Sequence, residues 1–239
     1  MTKRISKSLL VLLVFLLLGS SATSQQQSFN YGFVSPNTRD DLKLEEAIRG
    51  MSSTEETDLL KRARSLGCVI KRKISTLRAL GSWSDGAEHS IMLRVNSDES
   101  TVRYLMSRLG RDANQKAVIY FHPDNRGSAR IYEVSLSRRY WNLASIAAIL
   151  DKAGVAFRTL VPTRQNTMVY VVDTENNLGA KVKIAAKRLR GRLASRKGIA
   201  SFIGDDADRT KGQTVFTKEI TDFETKHSGL PPPCVSNYP

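Results

Sequence analysis

The stretch 81–95, GSWSDGAEHSIMLRV, crowds Trp83, Asp85, Glu88 and His89 together just ahead of an apolar alternating run. Two carboxylates this close could hold a divalent cation and activate water, the chemistry of a metal-dependent hydrolase or nuclease. Asp85-Gly86 is equally a good turn former. Glu88 and His89 are adjacent, so in an extended chain they point to opposite faces and cannot act together. His122, in FHPD, ends a second predicted strand that a β-α-β crossover would set parallel to the first. A strand start and a strand end then lie at opposite edges, about 20 Å apart for six residues. The two histidines therefore cannot share a metal. The stretch reads as a turn, and Asp124 beside His122 as hairpin capping. Asp85 and Glu88 remain the candidate catalytic pair of a hydrolytic alternative.

Other reactive signatures are missing. The chain holds no GxGxxG, no GxxxxGK[ST], no HExxH and no GxSxG. With 3 histidines and 2 cysteines there are few groups from which to build a metal cluster or a Cys/His nucleophile pair. No cofactor and no metal are expected, and binding is favoured over catalysis.

The densest chemical feature is positive. In LGAKVKIAAKRLRGRLASRKG, Leu178, Val182, Ala185, Leu189 and Leu193 make one apolar stripe, while Lys181, Lys183, Lys187, Arg188, Arg190 and Arg192 fill the remainder. No carboxylate occurs between Asn176 and Gly204. A helix over 178–194 with that face exposed could lie along a phosphate backbone or an anionic surface, and Arg suits bidentate phosphate contacts. Lys183, Lys187, Arg188, Arg190 and Arg192 are the candidate binding residues, joined by Arg94 and Arg158 from the sheet. Few aromatics interleave with these charges, which argues against stacking of single strands.

These residues need elements to carry them. Ser53 followed by Glu56 is a capping box, and Leu59, Leu60, Ala63 and Leu66 then recur at helical spacing up to Gly67. Part of 68–80 is a basic strand. Beyond it, strands at 90–95, 117–122, 130–136, 157–161 and 168–172 alternate with helices at 98–109, 140–152 and 178–194, ending in a short strand at 199–203. Strand-helix-strand recurs three times, opening near Ile91, Arg130 and Met168. The expected fold is α+β and ferredoxin-like: a split β-α-β, antiparallel or mixed sheet with helices on one face, extended by a third β-α-β unit. Alternation would aim Ile91, Leu93 and Val95 at the helices, as well as Tyr132, Val134 and Leu136, and Phe157, Thr159 and Val161. Arg94, Glu133 and Arg158 would stand on the open face. Sheet-face RNA recognition would need aromatics there, and the two central strands offer only Tyr132, on the helix side.

Composition and termini set the compartment. Lys3, Arg4 and Lys7, the apolar run Leu9–Leu18 and Ala22-Thr23-Ser24 give a secretory signal peptide over 1–24. Ten apolar residues rise only about 15 Å as a helix, about half a bilayer core, so no transmembrane span is expected in the mature chain. The net charge of +14 becomes +11 once that segment, with three basic and no acidic residues, is removed. Such a surplus attracts polyanions. Residues 25–53 read as a flexible N-terminal segment, 54–204 as the α+β domain and 205–239 as a polar, Pro-rich tail. Export makes a disulfide between Cys68 and Cys234 a candidate feature. The expectation is an exported, periplasmic or secreted, basic module that engages an anionic polymer (nucleic acid, wall polymer or acidic lipid surface) or an envelope protein.

Overall fold

In a computed structural model of the chain, residues 30–36, 43–50, 54–83, 86–123, 127–137, 142–173 and 177–228 are described. Their strands are β1 (Asn30–Val34), β2 (Ile74–Trp83), β3 (Gly86–Val95), β4 (Ala117–His122), β5 (Ala129–Leu136), β6 (Arg158–Pro162), β7 (Thr167–Asp173) and β8 (Arg192–Gly204). The helices are α1 (Leu44–Arg49), α2 (Thr54–Val69), α3 (Glu99–Asp112), α4 (Leu143–Lys152), α5 (Gly179–Arg188) and α6 (Arg209–Lys226). Helix starts follow their caps. The Asp98 side chain accepts from Thr101 N at 2.9 Å, and that of Asn142 from Ser145 N at 2.7 Å. Burial alone would raise the Asp98 carboxyl, but hydrogen bonds from Ser100 and Thr101 outweigh it and hold the group at about 2.

The eight strands close into an antiparallel barrel in the order β1-β3-β2-β6-β7-β5-β8-β4. This corrects the expected open, ferredoxin-like sheet with helices on one face and a third unit. The β-α-β-β-α-β chain order occurs twice, as β1 to β4 and as β5 to β8. In each half the strands lie fourth, first, third, second. The halves join where β2 meets β6, from Leu80↔Leu160 to Ser82↔Arg158, and where β4 meets β8, from Ala117↔Gly204 to His122↔Ile199. Each half alone would leave two edge strands unpaired, and closure removes those edges. A repeat counted from residue 91 obscured this, because β3 is the third strand of the first half and not the first of a unit.

Closure turns the expected open face into a lumen. Inside stand Tyr31, Phe33, Met92, Ile119, Phe121, Ile131, Tyr170 and Val172. An eight-stranded barrel is just wide enough to be filled by such side chains or to hold one small ligand. Outside, α4 and α5 bury Ile146, Leu150, Val182 and Leu189 against Tyr132, Val134 and Val171. On the other half, α2, α3 and α6 bury Leu59, Leu105 and Phe216 against Ile91, Leu93 and Tyr120.

Three further expectations need correction. Asn30–Val34, within the segment read as flexible, is a barrel strand paired with both β3 and β4. Arg209–Lys226, within the segment read as a tail, is a helix. It docks on α3 through the Tyr104–Phe223 stack, with centroids 4.3 Å apart, and through Arg103 Nε donating to Glu219 Oε2 at 3.0 Å. The helix expected over 178–194 stops at Arg188. Arg190 takes φ 51, and a Cβ at Gly191 would meet the side chains of Val134 and Leu136 at 2.7 and 2.8 Å. Only glycine allows the turn to pass that close to β5 before β8 begins. Among the described residues no helix is long and apolar enough to cross a membrane.

Candidate functional site

Antiparallel pairing around the whole barrel fixes which strand ends share a mouth. The starts of β1, β2, β7 and β8 and the ends of β3, β4, β5 and β6 lie at one mouth. Three of the connections that meet there are basic, whereas the β3–α3 connection carries Asp98, which is engaged in capping α3. The α2–β2 connection brings Lys71, Arg72 and Lys73, the β6–β7 loop Arg164, and the α5–β8 turn Arg190, followed by Arg192 at the start of β8. All six are exposed, and none pairs with an acid among the described residues.

Deeper in the same mouth lies a polar network. Tyr31 Oη donates to Glu133 Oε1 at 2.6 Å, and Arg196 Nε stands 3.4 Å from the same oxygen. Arg94, opposite Tyr31 in the β1–β3 register, points into the lumen beside them. Burial first, and then the Glu133 carboxylate that accepts its hydrogen bond, hold the Tyr31 phenol far above its ordinary 10. Burial, followed by the charge of Glu133, raises Tyr170 to about 12. Tyr31 and Tyr170 pack at 5.6 Å between ring centroids. The arrangement is a cationic rim over a floor of neutral phenols, with one carboxylate already engaged. It can hold anionic groups at the rim by charge and accept hydrogen bonds within.

The residues singled out from sequence divide. Arg190 and Arg192 stand at the basic mouth and Arg94 within it. Lys187 and Arg188 lead towards it in the last turn of α5, with Lys183 farther up the same exposed helix surface. Arg158 does not belong to this set, and its place on an open face is corrected. It is on the helix side of β6, its side chain 5 % exposed, donating to Asp151 Oδ1 at 2.5 Å and to the Val155 carbonyl at 3.0 Å. Thr159 and Val161 take the lumen side instead. Burial lowers the Arg158 pKa, opposed by Asp151, and the pair clamps α4 to β6.

Glu88 faces the lumen at the opposite mouth and accepts from Ser90 Oγ at 3.1 Å. Asp85 lies outside the described residues. The strands flanking it pair from Ile74↔Val95 to Trp83↔Gly86. A hydrolase that gripped its substrate at the basic mouth would thus have Glu88 at the wrong end. His89 points outward, its Nε2 2.7 Å from the Ala47 carbonyl, and His122 Nδ1 lies 2.6 Å from Asn30 Oδ1. Among the described residues no three His, Cys, Asp or Glu side chains converge as a metal site would need. Cys68 is disulfide-bonded, and Cys234 lies outside the described residues.

Lys71, Arg72, Lys73, Arg164 and Arg196 went unmarked by sequence reading, as did Tyr31 and Tyr170. The first three sat in a stretch read as a basic strand, and Arg164 in a short hairpin loop. Only strand direction in the closed barrel unites them with Arg190 and Arg192.

No family model matches the chain, and no curated protein matches it either. Among solved structures, the chain is similar to the acetolactate synthase small subunit from Thermotoga maritima at 10% identity. That match covers 73% of this chain and 96% of that one, with a TM-score of 0.23.

Proposed function

We propose that this chain is an exported binding module that holds an anionic polymer across the basic mouth of its barrel. The observation that carries the reading is the convergence of cations from three separate connections, 71–73, 164 and 190–192, on one rim. A solvated basic helix would spread its charge along one element. Here the fold gathers charge from segments far apart in sequence, around a lumen whose own Arg94 and Arg196 extend it inward. The net charge of +11 kept once the signal segment is removed, 14 less its three basic residues, adds long-range attraction. The N-terminal segment supports export, and an exported module would meet its anionic partner as a nucleic acid, wall polymer or acidic lipid surface outside the cytosol.

Elution from immobilised heparin over a salt gradient tests this. Replacing Arg164, Arg190 and Arg192 together by Ala should lower the eluting salt and flatten the dependence of log affinity on log salt, since each lost contact releases fewer counterions. Replacing Lys218, Lys226 and Arg209 on α6 removes equal charge elsewhere and should change elution less. Equal elution of the two triple variants would overturn the reading.

A further inference from the structure

The mouth opposite the basic one opens on a cavity of about 190 Å³, bounded by the ends of β1, β2 and β8 and the starts of β3, β4 and β6. An apolar cavity of about 150 Å³ is enough to take up benzene, so this space suits one aromatic ring with a small substituent.

Thr159 lines this cavity from the lumen side of β6. The residue is only 2% exposed, yet its hydroxyl has no hydrogen-bond partner among the described residues. A buried hydroxyl is ordinarily satisfied, because leaving one unpaired away from water is costly. The strand register sets Gly81 of β2 opposite Thr159, so no neighbouring side chain covers the group. A Cβ at Gly81 would meet Ser90 Oγ at 2.6 Å, so the position holds glycine and the space stays open. Phe33, Phe157 and Phe202 form the apolar walls. Phe33 and Phe157 meet edge to face, with centroids 6.4 Å apart and ring planes at 85°, and Phe202 is 44% exposed. The charged side chains around the cavity are already engaged or hydrated. Glu88 accepts from Ser90 Oγ at 3.1 Å, neither Glu88 nor Lys116 is free of other partners, and Asp206 is exposed to water. What the cavity offers a ligand is therefore aromatic surface and one waiting hydroxyl.

We propose that this mouth binds a small neutral aromatic molecule carrying one hydrogen-bonding group, of the phenol or benzylic alcohol class. Its ring packs against the phenylalanines in the edge-to-face or offset arrangements that aromatic pairs prefer. Its polar substituent meets Thr159, whose hydroxyl can both donate and accept. A charged ligand would give up its hydration without finding a free counter-charge. A purely apolar one would fill the same walls but leave the threonine hydroxyl unsatisfied.

Titration calorimetry of the folded chain at pH 7 with p-cresol, toluene and p-toluate tests the inference, since the three share a methylated ring and differ in its polar group. The chain should bind p-cresol about fivefold more tightly than toluene, the worth of one neutral hydrogen bond, and p-toluate more weakly than p-cresol. Thr159→Val keeps the shape of the side chain and deletes the hydroxyl. It should bring p-cresol down to the affinity of toluene and leave toluene itself unchanged, which also shows that the cavity is intact. Phe202→Ala should weaken both neutral ligands by a few fold. The Arg164, Arg190 and Arg192 triple variant should bind p-cresol undiminished, which separates this cavity from the basic mouth. No binding of p-cresol to the native chain, equal affinity for p-cresol and toluene, a preference for p-toluate, or an undiminished preference for p-cresol over toluene in Thr159→Val would overturn the inference.

Discussion

Tyr31 donates its phenolic hydrogen to Glu133 at 2.6 Å across 102 residues of sequence, and so ties the first strand of one half of the barrel to the first strand of the other. The bond crosses the lumen where β1 and β5 are not neighbours. Tyr31→Phe keeps the ring packed on Tyr170 and deletes only the hydroxyl, leaving Glu133 with Arg196. The expected cost is about 1 kcal/mol, read from denaturant melts. Stability unchanged from wild type would show that the cross-lumen bond contributes nothing net.

Tyr31, Tyr104, Tyr120 and Tyr170 all have pKa values raised above the ordinary 10, with burial the largest cause in each. Of the 7 tyrosines, these four should therefore lag in a spectrophotometric titration of the folded chain. The linked consequence has a definite sign. Unfolded phenols lose protons near 10 while the folded ones keep theirs. The stabilisation is thus complete below about pH 10 and is lost as pH climbs towards the folded values, near 12 for Tyr170. Seven phenols titrating together near pH 10, with the fold intact, would contradict this.

Glu56 is a buried carboxyl on α2, its side chain 1% exposed, with Arg78 Nε 3.6 Å away. Burial raises its pKa to about 7, and the charge of Arg78 only partly opposes that. The folded chain therefore holds this proton more tightly than the unfolded one. The favourable contribution is full below about 4.5, declines as pH rises, and is gone above about 7. Glu56→Gln should raise stability by about 1–3 kcal/mol at pH 8 and leave it nearly unchanged at pH 4, because Arg78 stays hydrated. Thermal melts at the two pH values decide it; a loss of stability at pH 8 would mean that the ion pair outweighs desolvation.

Cys68 is not a free thiol, and the chain contains one other cysteine, Cys234. A non-reducing peptide map should return a single linked species containing both. Reduction should cost about 2–4 kcal/mol of stability through the entropy regained by the unfolded chain. Two titratable thiols in the folded protein would remove the cross-link from consideration.

Local pattern carried the helices and strands between 90 and 172, since their apolar periodicities are strong and their caps explicit. Asp98 and Asn142 mark helix starts, and the alternation of β3 and β5 places Arg94 and Glu133 on one side of the sheet, where they are found. That side is the barrel interior, because the pairs closing it, such as Gly32↔Leu93 and Leu80↔Leu160, join residues far apart in sequence and leave no local trace. NYGFV is short and follows a polar run, so β1 looked like unstructured chain. Phe216, Ile220 and Phe223 do recur at helical spacing, but the Thr and Lys between them diluted the signal. In β6, RTLV offers apolar side chains to both faces, and the choice falls to the Arg158–Asp151 contact, which alternation cannot foresee.

The one-sided placement of the basic connections has a consequence for motion in solution. With Lys71, Arg72, Lys73, Arg164, Arg190 and Arg192 gathered around one rim, an anionic surface would exert a torque on an approaching molecule before any contact formed. The barrel would arrive oriented, its arginine end leading and its other mouth trailing towards open solvent. A molecule held in that pose would keep its second entrance clear of the surface.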